Sequence, residues 1–154
     1  MLMTQRDRRR AAMRHAFRYQ PYKDDVTAYI DECMALTAPK ERLGSGSASS
    51  GHRSDPTARA GIKLAEMPEA VRAKALWIRA VNDTWKECAD EGQALAYLFE
   101  KNFRLTGETL GPEHNTEVRN AIIEHLGIST RTFYERLEAV ADILVYHATK
   151  RKLL

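Results

Sequence analysis

The sequence predicts an all-α protein, a small helical bundle that ends in a helix-turn-helix and begins with a basic helical arm. Alanine, leucine, glutamate, arginine and lysine dominate the 154 residues, whereas glycine and proline are few outside two short stretches. Apolar residues recur at three- and four-residue spacing, and the alternating runs typical of strands are absent. A chain of this length accommodates one compact domain with an arm but not two full enzymatic domains.

The basic N-terminal arm comprises residues 1–43. Its first 20 residues carry six arginines and one aspartate, a balance of +5, although the net charge of the chain is only +3. The segment from Thr4 to Tyr19 is helix-capable but has a thin apolar stripe, so we expect it to be ordered only when bound. A second helix is expected from Tyr22 to Leu36, with four residues on its apolar face: Val26, Tyr29, Ile30 and Cys33.

Residues 44–54 (GSGSASSGHRS) form the predicted linker. They include no apolar residue larger than alanine. Because ordering a residue costs about 1 to 2 kcal/mol, a segment that can bury nothing is expected to be irregular and mobile. The linker separates the arm from a helical domain at residues 55–154.

The helical domain begins with a short helix that opens at Asp55 or Thr57, and Pro68 then opens the longest helix of the chain. Apolar positions along this stretch follow a 3-4 alternation that only Lys74 breaks. Such a stripe fits either the seam of a coiled-coil homodimer or the core-facing side of a single helix, and the second interpretation is favoured because core-facing helices commonly show it. The positions are Leu64, Met67, Val71, Lys74, Ile78, Val81, Trp85 and Cys88.

The C-terminal third contains the predicted helix-turn-helix, at about residues 116–148. A helix from Gln93 to Phe103 and a loop from Thr106 to Asn115 precede it. Gly127 can adopt the left-handed conformation that ends a helix, and Ser129 is placed to cap the next one. The first helix has an apolar face of Val118, Ala121, Ile122 and Leu126, and Ile128 is expected to fill the corner.

The second helix of this pair carries the expected DNA-contacting surface. Its buried stripe is predicted to consist of Phe133, Leu137, Val140, Ala141, Leu144 and Ala148. That stripe turns Arg131, Thr132, Glu135 and Arg136 outward near the start of the helix. Further along the same surface, Glu138 and Asp142 add negative charge, so only the first two turns are expected to approach a duplex.

A helix held in this way can enter the major groove of double-stranded DNA, which is about 12 Å wide. Arginine pairs with guanine, glutamate accepts from cytosine, and threonine contacts the thymine methyl group. The predicted DNA-binding residues are Ser129, Thr130, Arg131, Thr132, Tyr134, Glu135 and Arg136. The predicted phosphate contacts are Arg6, Arg8, Arg9, Arg10, Lys150, Arg151 and Lys152.

Three features together carry a family resemblance: SDPTARAGIKL (Ser54 to Leu64), the long central helix, and LGISTRTFYERLEAVADILVYHA (Leu126 to Ala148). This combination resembles the ArpU and RinA families of phage-encoded transcriptional regulators, whose C-terminal part is similar to the fourth conserved region of bacterial sigma factors. The resemblance implies control of late phage genes by promoter binding, with RNA polymerase as a partner. The loop from Thr106 to Asn115 and the basic first 20 residues depart from the family pattern.

Two other functions stay open from the sequence. One is a DNA-packaging protein of the small-terminase type, which also carries a helix-turn-helix but assembles into rings. The other is a helical interaction module whose arm binds RNA or an acidic protein without sequence preference.

An enzyme, a metal site and a cofactor are not expected, because the five histidines are far apart and GSGSASSG lacks the lysine of a phosphate loop. Cys33 and Cys88 have no CxxC companion and fall at apolar positions, so two buried thiols in a reducing cytoplasm are expected. No apolar run approaches the length of a membrane helix.

Overall fold

Six α-helices and one short 3-10 helix form the secondary structure in the computed structural model, which describes residues 2–35, 66–107 and 110–154. The all-α helical bundle predicted from the sequence is therefore confirmed. The predicted linker at 44–54 and the predicted short helix at 55–64 lie outside the described residues. The helices are α1 (Gln5–Ala16), α2 (Tyr19–Ala35), α3 (Glu69–Glu91), α4 (Gln93–Asn102), α5 (Asn115–Leu126) and α6 (Thr130–Lys150), and the 3-10 helix is Pro112–His114.

Helix α3 is the centre of the bundle and packs against α2, α4 and α6. Its buried residues are Trp77, Ala80, Val81, Thr84 and Cys88, so the stripe predicted from the sequence is displaced. Ile78 and Trp85 only pack against the edge of the core. Three partner helices cover a wider arc than one 3-4 stripe, and this explains the displacement.

The two cysteines are free and buried, as the sequence predicts. Burial raises the pKa of the Cys88 thiol to about 12, and the nearby Glu91 and Glu87 add to the shift. Cys88 is therefore a protonated, unreactive core side chain at neutral pH.

Helix α2 lies against α3 through its first turns. The Tyr19 hydroxyl donates to Asn82 Oδ1 at 2.6 Å, and Lys74 Nζ lies 2.7 Å from Asp25 Oδ2. The helix begins at Tyr19, three residues before its predicted start. Ile30, expected on the apolar face, is exposed.

Helix α1 packs against α6, in contrast to the expectation of a loosely placed arm that orders only on binding. Thr4 caps the helix by accepting from the Asp7 backbone N–H at 3.1 Å. Three small residues, Ala11, Ala12 and Ala16, are buried and permit close approach of the backbones. The sequence pattern does not predict this packing face of α1, because alanine contributes little to an apolar stripe.

Within the described ranges, none of the helices combines the length and the apolar character that crossing a membrane requires.

Candidate nucleic-acid interface

The connection between α5 and α6 is a Schellman turn followed by a capped helix. Gly127 adopts the left-handed conformation, with φ 62° and ψ 37°. Its N–H donates to Glu124 O, and the Ile128 N–H donates to Ile123 O, both at 3.2 Å. Ser129 Oγ accepts from the Thr132 N–H at 3.1 Å. The predicted roles of Gly127 and Ser129 are therefore confirmed.

Replacement of Gly127 by alanine is expected to lower the free energy of unfolding by about 1 to 2 kcal/mol, the cost of a left-handed L-residue. A Cβ at this position meets no atom within 4 Å, so the cost is conformational rather than steric. Urea denaturation measures the loss. Gly127→Asn is the control, because asparagine tolerates this conformation better, and an equal loss in both variants contradicts the explanation.

Helix α4 holds both members of this helix pair, since it packs against α5 and against α6. The Tyr97 ring stacks on His125 near the end of α5, with 4.2 Å between ring centroids. Val118 and Ile122 are the buried residues of α5, whereas Ala121 is exposed and its predicted place in the buried face is wrong. The corner is thus fixed by a third helix rather than by two helices alone.

The start of α6 projects the residues predicted to face outward. Arg131 has 89 % of its side chain exposed, and its Nε lies 3.1 Å from Glu135 Oε1. The side chains of Thr132 and Arg136 are half-buried. The predictions of a buried Phe133 and of an exposed Arg131 and Glu135 are confirmed. Leu137 is only partly buried, so the predicted division between the two faces is confirmed only in part. Ser129 and Thr130 are exposed at the tip.

Arg119 on α5 belongs to the same surface and was missed by sequence reasoning. Its Nη1 donates to the Tyr134 hydroxyl at 2.8 Å, and its guanidinium lies 6.0 Å from the Tyr134 ring centroid. Tyr134, one of the predicted DNA-binding residues, is 48 % exposed. No helical periodicity relates residues on two different helices, so the sequence held no signal for this contact.

The acidic continuation of the α6 surface is partly neutralised by α1. Arg9 Nη1 lies 2.6 Å from Glu138 Oε1, and Arg9 Nε lies 2.6 Å from Asp142 Oδ1. Gln5 Nε2 also donates to Asp142 Oδ1, at 2.8 Å. The acidic surface predicted from the sequence is therefore paired with an arginine that lies 133 positions from Asp142 in the chain.

The Asp142 carboxylate is expected to make the fold sensitive to acid. The hydrogen bond from Arg9 lowers the pKa of Asp142 below its ordinary value of 3.8. A lowered pKa contributes stability that is complete above 3.8 and is lost as the pH falls through the pKa of the folded state. Between pH 5 and pH 2, the free energy of unfolding of Asp142→Asn should therefore fall by less than that of the parent chain.

Urea midpoints across that pH range measure the effect of Asp142→Asn. Glu124→Gln is the matched control, because Glu124 is an exposed carboxylate on α5. An identical pH profile for Asp142→Asn and the parent chain contradicts a role for the pair in folding.

The other predicted phosphate-contacting residues lie in different environments. Arg6 and Arg10 are exposed on α1, and Arg8 is half-buried. Arg151 is bound by Asp83 of α3 and donates to His147 O at 3.1 Å. Lys150 lies over the Tyr146 ring and Lys152 is exposed. Arg9 and Arg151 thus have carboxylate partners within the chain, whereas the exposed basic side chains carry the outward-facing charge.

No family model matches the chain, and neither a curated protein nor a solved structure matches it.

Proposed function

We propose that this chain is a sequence-specific, double-stranded DNA-binding transcriptional regulator that inserts the start of α6 into the major groove. One observation carries the proposal: the first two turns of α6 are capped by Ser129, expose Arg131 and Glu135 on their outer face, and project from a corner that α4 fixes. Rigid placement of this kind is what base readout requires, because side chains must reach base edges in one register.

The side chains at the tip match the chemistry of base edges. Arg131 has two parallel donors for the O6 and N7 acceptors of guanine, Glu135 accepts from cytosine, and Thr132 offers a methyl group and a hydroxyl. The exposed pair of Arg131 and Glu135 contributes little to folding, because exposed ion pairs are weak. Both side chains are therefore available to exchange this contact for bases.

Charge around the tip supports the same function. Arg9 balances Glu138 and Asp142, so the groove-facing side of α6 is less acidic than its own sequence indicates. Arg119 adds a cation beside Tyr134. Neutralisation of phosphates supplies much of the affinity of DNA-binding proteins. Arg9 and Arg119 should therefore make binding tighter than the charges of α6 alone would allow.

Control of late phage genes, with RNA polymerase as a partner, is the part of the proposal that depends on the resemblance to ArpU and RinA regulators. The sigma-factor likeness of those families favours an activator that contacts polymerase at a promoter. The polymerase partner and a homodimer are both testable by co-purification and by light scattering.

The proposal is tested by selecting duplexes from a random pool with the full chain and then measuring the affinity for the selected site at several salt concentrations. Enrichment of one motif, and a protected footprint over it, is the expected result. Binding that falls with salt but shows no sequence preference supports a general interaction module instead. Failure to bind any duplex at low salt contradicts the proposal.

A further inference from the structure

A groove of about 420 Å³ lies where the end of α1 and the start of α2 meet the connection between α4 and α5. Its apolar floor includes Phe17 and Pro112, and Asn115, the first residue of α5, lies at one side. Three arginines line the same groove: Arg14, Arg18 and Arg104. The groove is therefore lined by three guanidinium groups.

Arg104 is the most unusual of the three, because only 8 % of the residue is exposed. Its Nη1 donates to Asn102 O at 2.6 Å and its Nη2 to Gly111 O at 3.5 Å, and its guanidinium lies 5.6 Å from the Phe17 ring centroid. Its Nε has no hydrogen-bond partner among the described residues. Its backbone is also left-handed, with φ 53°, which is uncommon for a residue other than glycine. A buried cation is costly unless an anion compensates for it.

Arg14 and Arg18 form the exposed rim of the groove. In the described part of the chain, no carboxylate lies within ion-pair distance of Arg14, Arg18 or Arg104. Burial lowers the pKa of the adjacent His15, and the positive charges of Arg14 and Arg18 lower it further. The groove therefore has an uncompensated positive potential.

The groove is connected to the tip of α6 by two helices. Helix α1 starts beside the middle of α6, where Arg9 meets Glu138 and Asp142, and its 12 residues, about 18 Å, end at the groove. Helix α5 starts at the groove with Asn115, and one turn later its Arg119 contacts Tyr134 of α6. The groove thus lies about one turn of α5 from Arg119, the residue that contacts Tyr134 of α6.

We propose that this groove binds a phosphate group of the DNA backbone, a contact that rests on the proposed DNA-binding function. Guanidinium groups bind phosphate oxygens through paired N–H donors, and three of them line this groove. The apolar floor of Phe17 and Pro112 suits the deoxyribose beside a backbone phosphate. In this assignment the basic N-terminal segment contacts the DNA backbone through Arg14 and Arg18. Arg9 is not used, because it has carboxylate partners within the chain.

The test compares the parent chain with Arg14→Gln/Arg18→Gln on the selected duplex and on a scrambled duplex between 50 and 200 mM salt. Both side chains are exposed and without ion pairs in the described ranges, so the double variant should fold normally, which circular dichroism checks. Loss of one phosphate contact should reduce the salt slope by about 0.9, so the salt-induced loss of affinity over this range should be roughly three- to fourfold smaller. The decrease in affinity should be equal on both duplexes.

Arg72→Gln/Arg79→Gln is the matched control, because it removes two exposed arginines of α3 that do not line the groove. A parent chain that binds DNA and a double variant with the same slope and affinity overturn the inference while leaving the proposed function intact. A parent chain that binds no duplex contradicts the proposed function itself.

A second arm separates the DNA backbone from free phosphate as the ligand. Inorganic phosphate is titrated into the parent chain, and the backbone amide signal of Asn115, which lines the groove, is followed by NMR. Displacement of phosphate by duplex DNA supports a shared site. Phosphate binding that depends on Arg14 and Arg18 but does not compete with DNA overturns the backbone assignment and identifies a free-anion site.

Discussion

Phe133→Ala is expected to lower the free energy of unfolding by about 3 to 5 kcal/mol, the usual cost of deleting a fully buried phenylalanine side chain. Phe133 is 1 % exposed and belongs to the same core cluster as Phe99 of α4 and Ile122 of α5. It is therefore the residue through which the start of α6 is attached to both other helices of the corner. A loss of this size is a large fraction of the stability of a typical domain.

Chemical denaturation followed by circular dichroism measures the change, and Phe133→Leu serves as the control. Leucine keeps most of the apolar volume, so its loss should be clearly smaller than that of alanine. DNA binding should also weaken in Phe133→Ala, because the ring contacts Tyr134 and fixes the exposed tip, with 5.2 Å between ring centroids. A free energy of unfolding within 0.5 kcal/mol of the parent value contradicts the packing described for α6.

The features that the sequence predicts best are those determined by neighbouring residues. Gly127 and Ser129 act within one turn of the chain, since a left-handed glycine and an N-cap serine need only local hydrogen bonds. The outward direction of Arg131 likewise follows from the spacing of the apolar residues on the same helix. Local geometry therefore made the corner and the tip predictable before any tertiary contact was known.

The features that the sequence does not predict depend on residues far apart in the chain. The contact of Arg9 with Asp142 spans 133 positions, and that of Arg119 with Tyr134 joins two helices. The exposure of Ala121 and the burial of Thr84 depend on which neighbouring helices pack there. Periodicity shows which face of a helix is apolar but not which helix packs against that face. The long-range contacts and the burial of these residues therefore cannot be predicted from the sequence.

Packing of α1 also changes how the basic segment should be studied. Deletion of the segment removes the buried Ala12 and Ala16 and leaves Glu138 and Asp142 without Arg9. Such a truncation combines a loss of stability with a loss of charge, and its effect on DNA binding has no single cause. Point substitutions of exposed arginines separate the two effects, because they leave the α1 to α6 packing in place.

Arg131→Ala is expected to weaken binding to the selected duplex by about 1 to 3 kcal/mol, or roughly 5- to 150-fold, and to relax the preference at one base pair. The reason is that a paired donor to guanine is lost, whereas the fold is unaffected because 89 % of this side chain is exposed. Binding to a scrambled duplex should change little. The measurement is a titration of both duplexes at constant salt, together with a repeated selection using the variant.

Glu135→Gln is the informative companion to Arg131→Ala. It removes the carboxylate that lies 3.1 Å from Arg131 Nε. The Arg131 guanidinium then has no charged partner in the described part of the chain to release when it binds a base. Affinity for the scrambled duplex should rise, since one negative charge is removed from the approaching surface. Preference should relax at a different base pair from that affected by Arg131→Ala, because the two side chains are one helical turn apart. If Arg131→Ala instead weakens the selected and scrambled duplexes equally, Arg131 contacts phosphate, and the base readout assigned to the start of α6 is wrong.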